Sequence, residues 1–394
     1  MYQVVTGGIF LKVKRIITGA VILALFFGFL IIFNNFERIP LNNSEGKSYA
    51  AARVLKVNDS NAASGGGYAG AQRAELEILS GQFKGERVSA DVKSGYLYGV
   101  NCEEGMKVHT VIYESNGSKT VSVTGYYRIN AIMAIILIFF AAHILIGGKK
   151  GLMSVLGLVF TFINILWLYM PMIYRGVSPF LAAVVTGALT TMVSLLLIGG
   201  LCTKTASAVI STILGVTLSG IIAAAFGKLA HITGYNVQEI DELIFIAENT
   251  QIQIGGLLFS GILIASIGAV MDVGMSVASA IEEIYNKRPD IGFKELFASG
   301  MNVGKDTMGT MSNTLILAFA GNSINTLVML YAYGYPAMYI MNLYSIGIEI
   351  IRGLSGSMAV ILTVPIAAAL SSWLHTREKT EDKLEKPAIE TQSI

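Results

Sequence analysis

The chain has 394 residues, 53% of them hydrophobic and 14% charged, with a formal net charge of +2 and a mean hydropathy of +0.62. So few charges cannot cover a water-exposed globular surface of this size, which makes a bilayer the natural solvent. The near-neutral balance, with no Lys/Arg-rich stripe interleaved with aromatics, excludes nucleic acid as a partner.

Residues 1–15, with Lys12, Lys14 and Arg15, read as a cytoplasmic N-terminus. The apolar run that follows is too long for a signal-peptide h-region, and Asn34-Asn35-Phe36-Glu37-Arg38 offers no small-residue cleavage pattern. Residues 16–34 are therefore expected as a retained transmembrane anchor.

From 40 to 128 the grammar changes. Runs such as Arg73-Ala-Glu-Leu-Glu-Ile-Leu79 and Lys119-Thr-Val-Ser-Val-Thr124 alternate apolar and polar residues at the period of a half-buried strand. With 50–57, 87–92 and 108–113 they make five short strands, punctuated by Gly81, Gly85, Gly95, Gly99, Gly105 and Gly117. This predicts a small extracytoplasmic β-barrel of the OB type, inserted between the first two spans. Ser64-Gly-Gly-Gly-Tyr-Ala-Gly70 is expected to be a mobile loop.

The rest is mainly α: a polytopic bundle over 129–372, followed by a disordered cytoplasmic tail at 373–394. A span needs about 20 apolar residues, and with the anchor about eight are expected: 16–34, 129–147, 152–173, 178–199, 206–229, 254–280, 307–331 and 343–372. Pro365 should kink the last. Lys149, Lys150, Lys204, Lys287, Arg288 and Lys294 fall in alternate links, so with an even span count they share the cytoplasmic face with both termini. An outer segment, 236–253, has apolar residues at helical spacing opposed by acids and amides, and predicts either an amphipathic helix that lies on the membrane surface or caps the bundle, or a docked loop helix that only closes the link.

Ionisable groups inside hydrocarbon are costly and need a partner or a wet path. In the sixth span Gly261, Ala265, Gly268, Asp272 and Ser276 share one helical face; in the seventh, Asn302, Asp306, Gly309 and Asn313; in the eighth, Asn342, Ser345, Glu349, Arg352 and Gly356. Small residues allow close approach and leave the polar ones facing a bundle interior. Asp272, Ser276, Asn302, Asp306, Asn313, Glu349 and Arg352 are thus the expected stations of an ion or solute path, with plain packing seams as the alternative and an ordinary ion bridge the better reading of Glu349 and Arg352, one turn apart.

Other chemistry is not encoded. Cys102 and Cys202 lack a second ligand motif, and no phosphate-cradling loop occurs. Paired membrane acids can suggest an aspartyl protease, but the chain reads Gly304-Lys305-Asp306 where a GxGD pattern is needed. No enzyme activity, metal or cofactor is expected.

Gly268-Ala-Val-Met-Asp-Val-Gly-Met-Ser-Val-Ala-Ser-Ala-Ile-Glu282 and Phe297-Ala-Ser-Gly-Met-Asn-Val-Gly-Lys-Asp-Thr-Met-Gly-Thr-Met-Ser-Asn-Thr-Leu-Ile-Leu-Ala318 resemble the signature of the YibE/F-like membrane proteins of bacteria. Gly147-Gly-Lys-Lys-Gly151, Phe226-Gly-Lys-Leu-Ala-His-Ile-Thr-Gly234, Glu349-Ile-Ile-Arg352 and Tyr126-Tyr-Arg128 support it, and the resemblance runs from about 50 to 372. It implies a bacterial plasma-membrane location and a polytopic architecture. Two functions compete: a transporter or channel-like permease for an ion or small polar solute, between spans 6, 7 and 8, and a non-transporting scaffold whose outer β domain binds an envelope partner. The expected partners are the lipid bilayer, an envelope protein at the outer domain and further copies of the same chain.

Overall fold

The computed structural model describes residues 24, 26–37, 41, 46–58, 62–64, 67–94, 99–115, 118–237 and 239–385. The expected N-terminus 1–15, the first half of the expected anchor and the end of the expected tail lie outside them. The chain divides into two compact units: Pro40–Ala142, and Met1–Ile39 with His143–Ile394.

In the smaller unit β1 (Lys47–Val57), β2 (Ala62–Ser64), β3 (Gly67–Ile78), β4 (Arg87–Ser94), β5 (Lys107–Ser115) and β6 (Ser118–Tyr126) include all five expected strands, each longer than its repeat suggested. β1 pairs with both β3 and β5, β5 with β6, β6 with β4, and β4 with β3, so the five long strands close into a barrel. Only β4–β6 is parallel among these pairs. Closure leaves none of the five long strands as an open edge. Alternation does what the pleat requires: Val54, Leu76, Ile78, Val92 and Val108 fill the interior, while Arg73 and Glu75 face outward. Gly85 and Gly105 hold φ values of 90° and 84° at the turns, a region open to glycine.

The expected mobile loop is corrected in part. Ala62–Ser64 pairs with Gly67–Ala69 as an antiparallel arm whose ladder hydrogen bonds hold both flanks of the expected loop, while Gly65 and Gly66 lie outside the described residues.

In the larger unit the elements are α1 (Ile129–Asn164), which begins in the smaller unit, a π-helical turn (Ile165–Tyr169), α2 (Met170–Tyr174), α3 (Pro179–Gly199), α4 (Thr203–Leu229), α5 (Ile240–Asn249), α6 (Leu257–Lys287), α7 (Phe293–Asn322), α8 (Ile324–Ala332), α9 (Ala337–Met341) and α10 (Tyr344–Glu385). Among the described residues, five helices are long and apolar enough to cross a membrane, or six if the bent pair α7–α8 is one span. The first of these runs 46 residues, Ile129–Tyr174. It is interrupted at Gly148 (φ 53°, ψ −130°), between the two expected spans. A side chain on Gly151 would strike the His143 carbonyl. Residues eight apart in a straight helix stand about 12 Å apart, so the chain turns back at Gly148.

The expected span 307–331 is corrected: its helix starts at Phe293 and breaks at Ser323 with a bend of 62°. The last helix passes Pro365 without interruption and continues to Glu385, into the stretch expected as a tail. The amphipathic segment is realised as α5, ten residues with none buried.

α10 packs against α4, α6 and α7, and α6 also against α3 and α4. The core is Val270, Val273 and Val277 of α6 with Ala359, Val360 and Val364 of α10. Missing side chains make these contacts close: a Cβ on Gly215 would overlap Thr363, and one on Gly304 would overlap Val364. One deep polar side chain is tied to the neighbouring helix. Asn164 donates through Nδ2 to the Thr186 carbonyl (2.8 Å) and Thr190 Oγ1 (2.7 Å).

Candidate functional site

α7 ends where its apolar run meets Gly321-Asn322-Ser323, three residues that favour stopping or capping a helix over continuing it. α8 then leaves at 62°. A break of this kind frees backbone carbonyls at one helix end and N–H groups at the other, which must be met by side chains, water or a ligand. At the break lies a cavity of about 490 Å³, walled by Asn322, Ser323, Asn325 and Thr326 on one side and Glu349 and Arg352 on another. Its size falls in the range of small-molecule sites, about 300–1,000 Å³.

The charged pair sits one helical turn apart on α10. Arg352 Nη1 donates to Glu349 Oε1 at 2.8 Å, with the two side chains 35% and 23% exposed. The second carboxylate oxygen, Oε2 of Glu349, is buried without a hydrogen-bond partner among the described residues. A buried acceptor of this kind is expensive unless something donates to it or binds it. A second, apolar cavity of about 270 Å³ shares Ser323 and Glu349 with the first. Polar and apolar surface thus meet at one carboxylate.

The expected path divides. Glu349 and Arg352 come together and line the cavity. Asp272 and Ser276 on α6, and Asn302, Asp306 and Asn313 on α7, are all exposed on the chain's surface, and none of the five lines the cavity beside the pair on α10. Helical spacing reveals that residues share a face, not which face turns inward. In α6 the inward face is the opposite one, carrying Val270, Val273, Gly274, Val277 and Ala278; in α7 it carries Leu296, Gly300 and Gly304. Asn322, Ser323, Asn325 and Thr326 lie outside the polar stripes that helical spacing picks out. Their signal is the interruption of an apolar segment by Gly and Asn, the mark of a discontinuous membrane helix.

Among the described residues no group of three or more His, Cys, Asp or Glu side chains could hold a metal. Cys102 and Cys202 are free thiols.

A family profile described as YibE/F-like protein matches residues 135–377, well over half of the chain. The chain belongs to the YibE/F-like family. The match includes the exposed stripes of α6 and α7, the helix break and the Glu349–Arg352 pair, and leaves the β-barrel outside, so this YibE/F-like chain resembles its family over the helices. No curated protein and no solved structure matches it.

Proposed function

We propose that the protein is a bacterial plasma-membrane permease for an ion or small polar solute, which binds in the cavity at the α7–α8 break. The observation that carries this reading is the meeting of a broken, membrane-competent helix with a carboxylate that has one oxygen satisfied and one free. Half-helix ends present partial charges of both signs to a cavity at membrane depth. Glu349 and Arg352 add a full charge of each sign, so either end of a polar solute finds a complement. Cations in the 149–150, 204 and 287–294 links put those links in the cytoplasm under the positive-inside rule. That orientation places both termini inside, opens the cavity outward and puts the barrel outside the cytoplasm. The order of barrel strands, with its single parallel closing pair, is that of an OB-type barrel.

Uptake by proteoliposomes of the purified full chain, assayed with radiolabelled sodium, potassium and a set of amino acids, tests this. Flux of at least one probe should exceed that of empty vesicles. Glu349→Gln should cut it by about tenfold or more, the scale of losing one charge-assisted contact. No flux for any probe, or flux indifferent to Glu349→Gln, would count against the reading.

A second reading, a non-transporting scaffold that binds an envelope partner, has one observation in its favour. The outer face of β1 and β5 exposes Tyr49 stacked on His109 (centroids 5.8 Å apart), with Lys47 over Tyr113. Deleting 45–126 separates the two, since a permease keeps its flux without the barrel.

A further inference from the structure

No described residue of the chain covers the outward stripes of α6 and α7. We infer that a second copy of this protein covers them, α6 of each protomer packing against α7 of the other about a two-fold axis along the membrane normal.

Two independent observations lead there. The first is glycine without a reason. At Gly300, Gly304 and Gly274, on the inward faces, an added Cβ would press on Ile281, Val364 or Thr212. At Gly261 and Gly268 of α6 and Gly309 of α7 it would meet nothing within 4 Å. Glycine weakens a helix interior unless a neighbour needs the space, and among the described residues no neighbour does. The second is charge. Asp272, Lys305 and Asp306 are exposed and make no ion pair among the described residues, and Asp272 lies within a helix apolar and long enough for a membrane. Lipid is a poor surrounding for that carboxylate.

The two stripes fit each other. α6 and α7 are antiparallel neighbours whose register is set by Gly300 against Ile281 and Gly304 against Val277. Carried along both helices, that register puts Asn313 level with Gly268, Gly309 level with Asp272, and Lys305 level with Ser276, one turn from Asp272. A long polar side chain on one stripe thus stands at the depth of a glycine on the other, and the cation stands within reach of the acid. An axis along the membrane normal preserves depth, so the same levels meet between copies, and the contact is made twice. A different partner would have to reproduce both the size pattern and the charge at these depths; a second copy supplies them already. This inference does not depend on the permease reading.

The test uses the full chain in lipid nanodiscs with Cys202→Ser to limit background. One tagged copy carries Gly268→Cys and a differently tagged copy carries Asn313→Cys, so that no link within one chain is counted. Mild oxidation of the mixture should give a covalent dimer holding both tags, in several-fold excess over either same-tag dimer. Gly268→Trp should halve the mass found by native mass spectrometry while leaving the helical circular dichroism unchanged, since no described residue lies within 4 Å of a Cβ at that position. A wild-type monomer in the nanodisc would overturn the inference. So would a dimer that survives Gly268→Trp, or one that links Gly268→Cys only to itself.

Discussion

At the scale of single residues, burial decides chemistry. Cys102 is 3% exposed in the barrel, its backbone N–H donating to Gln72 Oε1 at 2.8 Å and its carbonyl accepting from Gln72 Nε2 at 3.1 Å. Burial pushes its thiol up from 9.0 to about 11. The unfolded chain gives up this proton first, so over that interval the folded barrel binds more protons and loses stability as pH rises. Urea melts should show the midpoint falling between pH 9 and 11, and Cys102→Ala should flatten that part of the fall. Glu349 and Arg352 give the opposite case, charges that hold each other. Arg352→Gln leaves a half-buried carboxylate without its counter-charge, whereas the double replacement with Glu349→Gln removes both. The single variant should melt about 2–4 °C below the double in detergent.

At the scale of elements, the helices are held by what their sequences omit. Gly304 lets α7 lie on Val364 of α10, and Gly304→Ala should cost about 1–3 kcal/mol through overpacking, read as a lowered melting temperature of the purified protein. The same residue type on the other face of α7, Gly309, meets nothing. Two glycines five positions apart on one helix therefore do different work: one admits a neighbour from the same chain and one stands open. In the barrel the element-scale rule is alternation. Leu76 is wholly buried between the outward Glu75 and Glu77, and Leu76→Ala should cost about 2–5 kcal/mol in equilibrium urea unfolding.

At the scale of the whole molecule, the chain is an apolar helical unit and a small closed barrel, each with its own core. The barrel core includes Val54, Leu76, Ile78 and Val92, and every long strand has partners on both sides. Residues 41–128 expressed alone should therefore fold, with a single cooperative transition by circular dichroism. A fragment without such a transition would mean that the barrel relies on the helices for its stability.

Much of this was legible along the chain. Strand positions follow from a period of two, helix positions from apolar runs of membrane length, and the sharing of one face by Asp272 with Gly268, or by Asp306 with Gly309, from a period of 3.6. These are local properties, and local rules determine them. What only the tertiary structure decided is which of two faces turns inward, because that depends on partners far away in sequence: Val364 lies 60 positions from the Gly304 it fills. It also decided that the polar interruption at Asn322-Ser323 comes to rest beside Glu349. No periodicity can announce that meeting, since it arises from the packing of separate helices rather than from the spacing within any one of them.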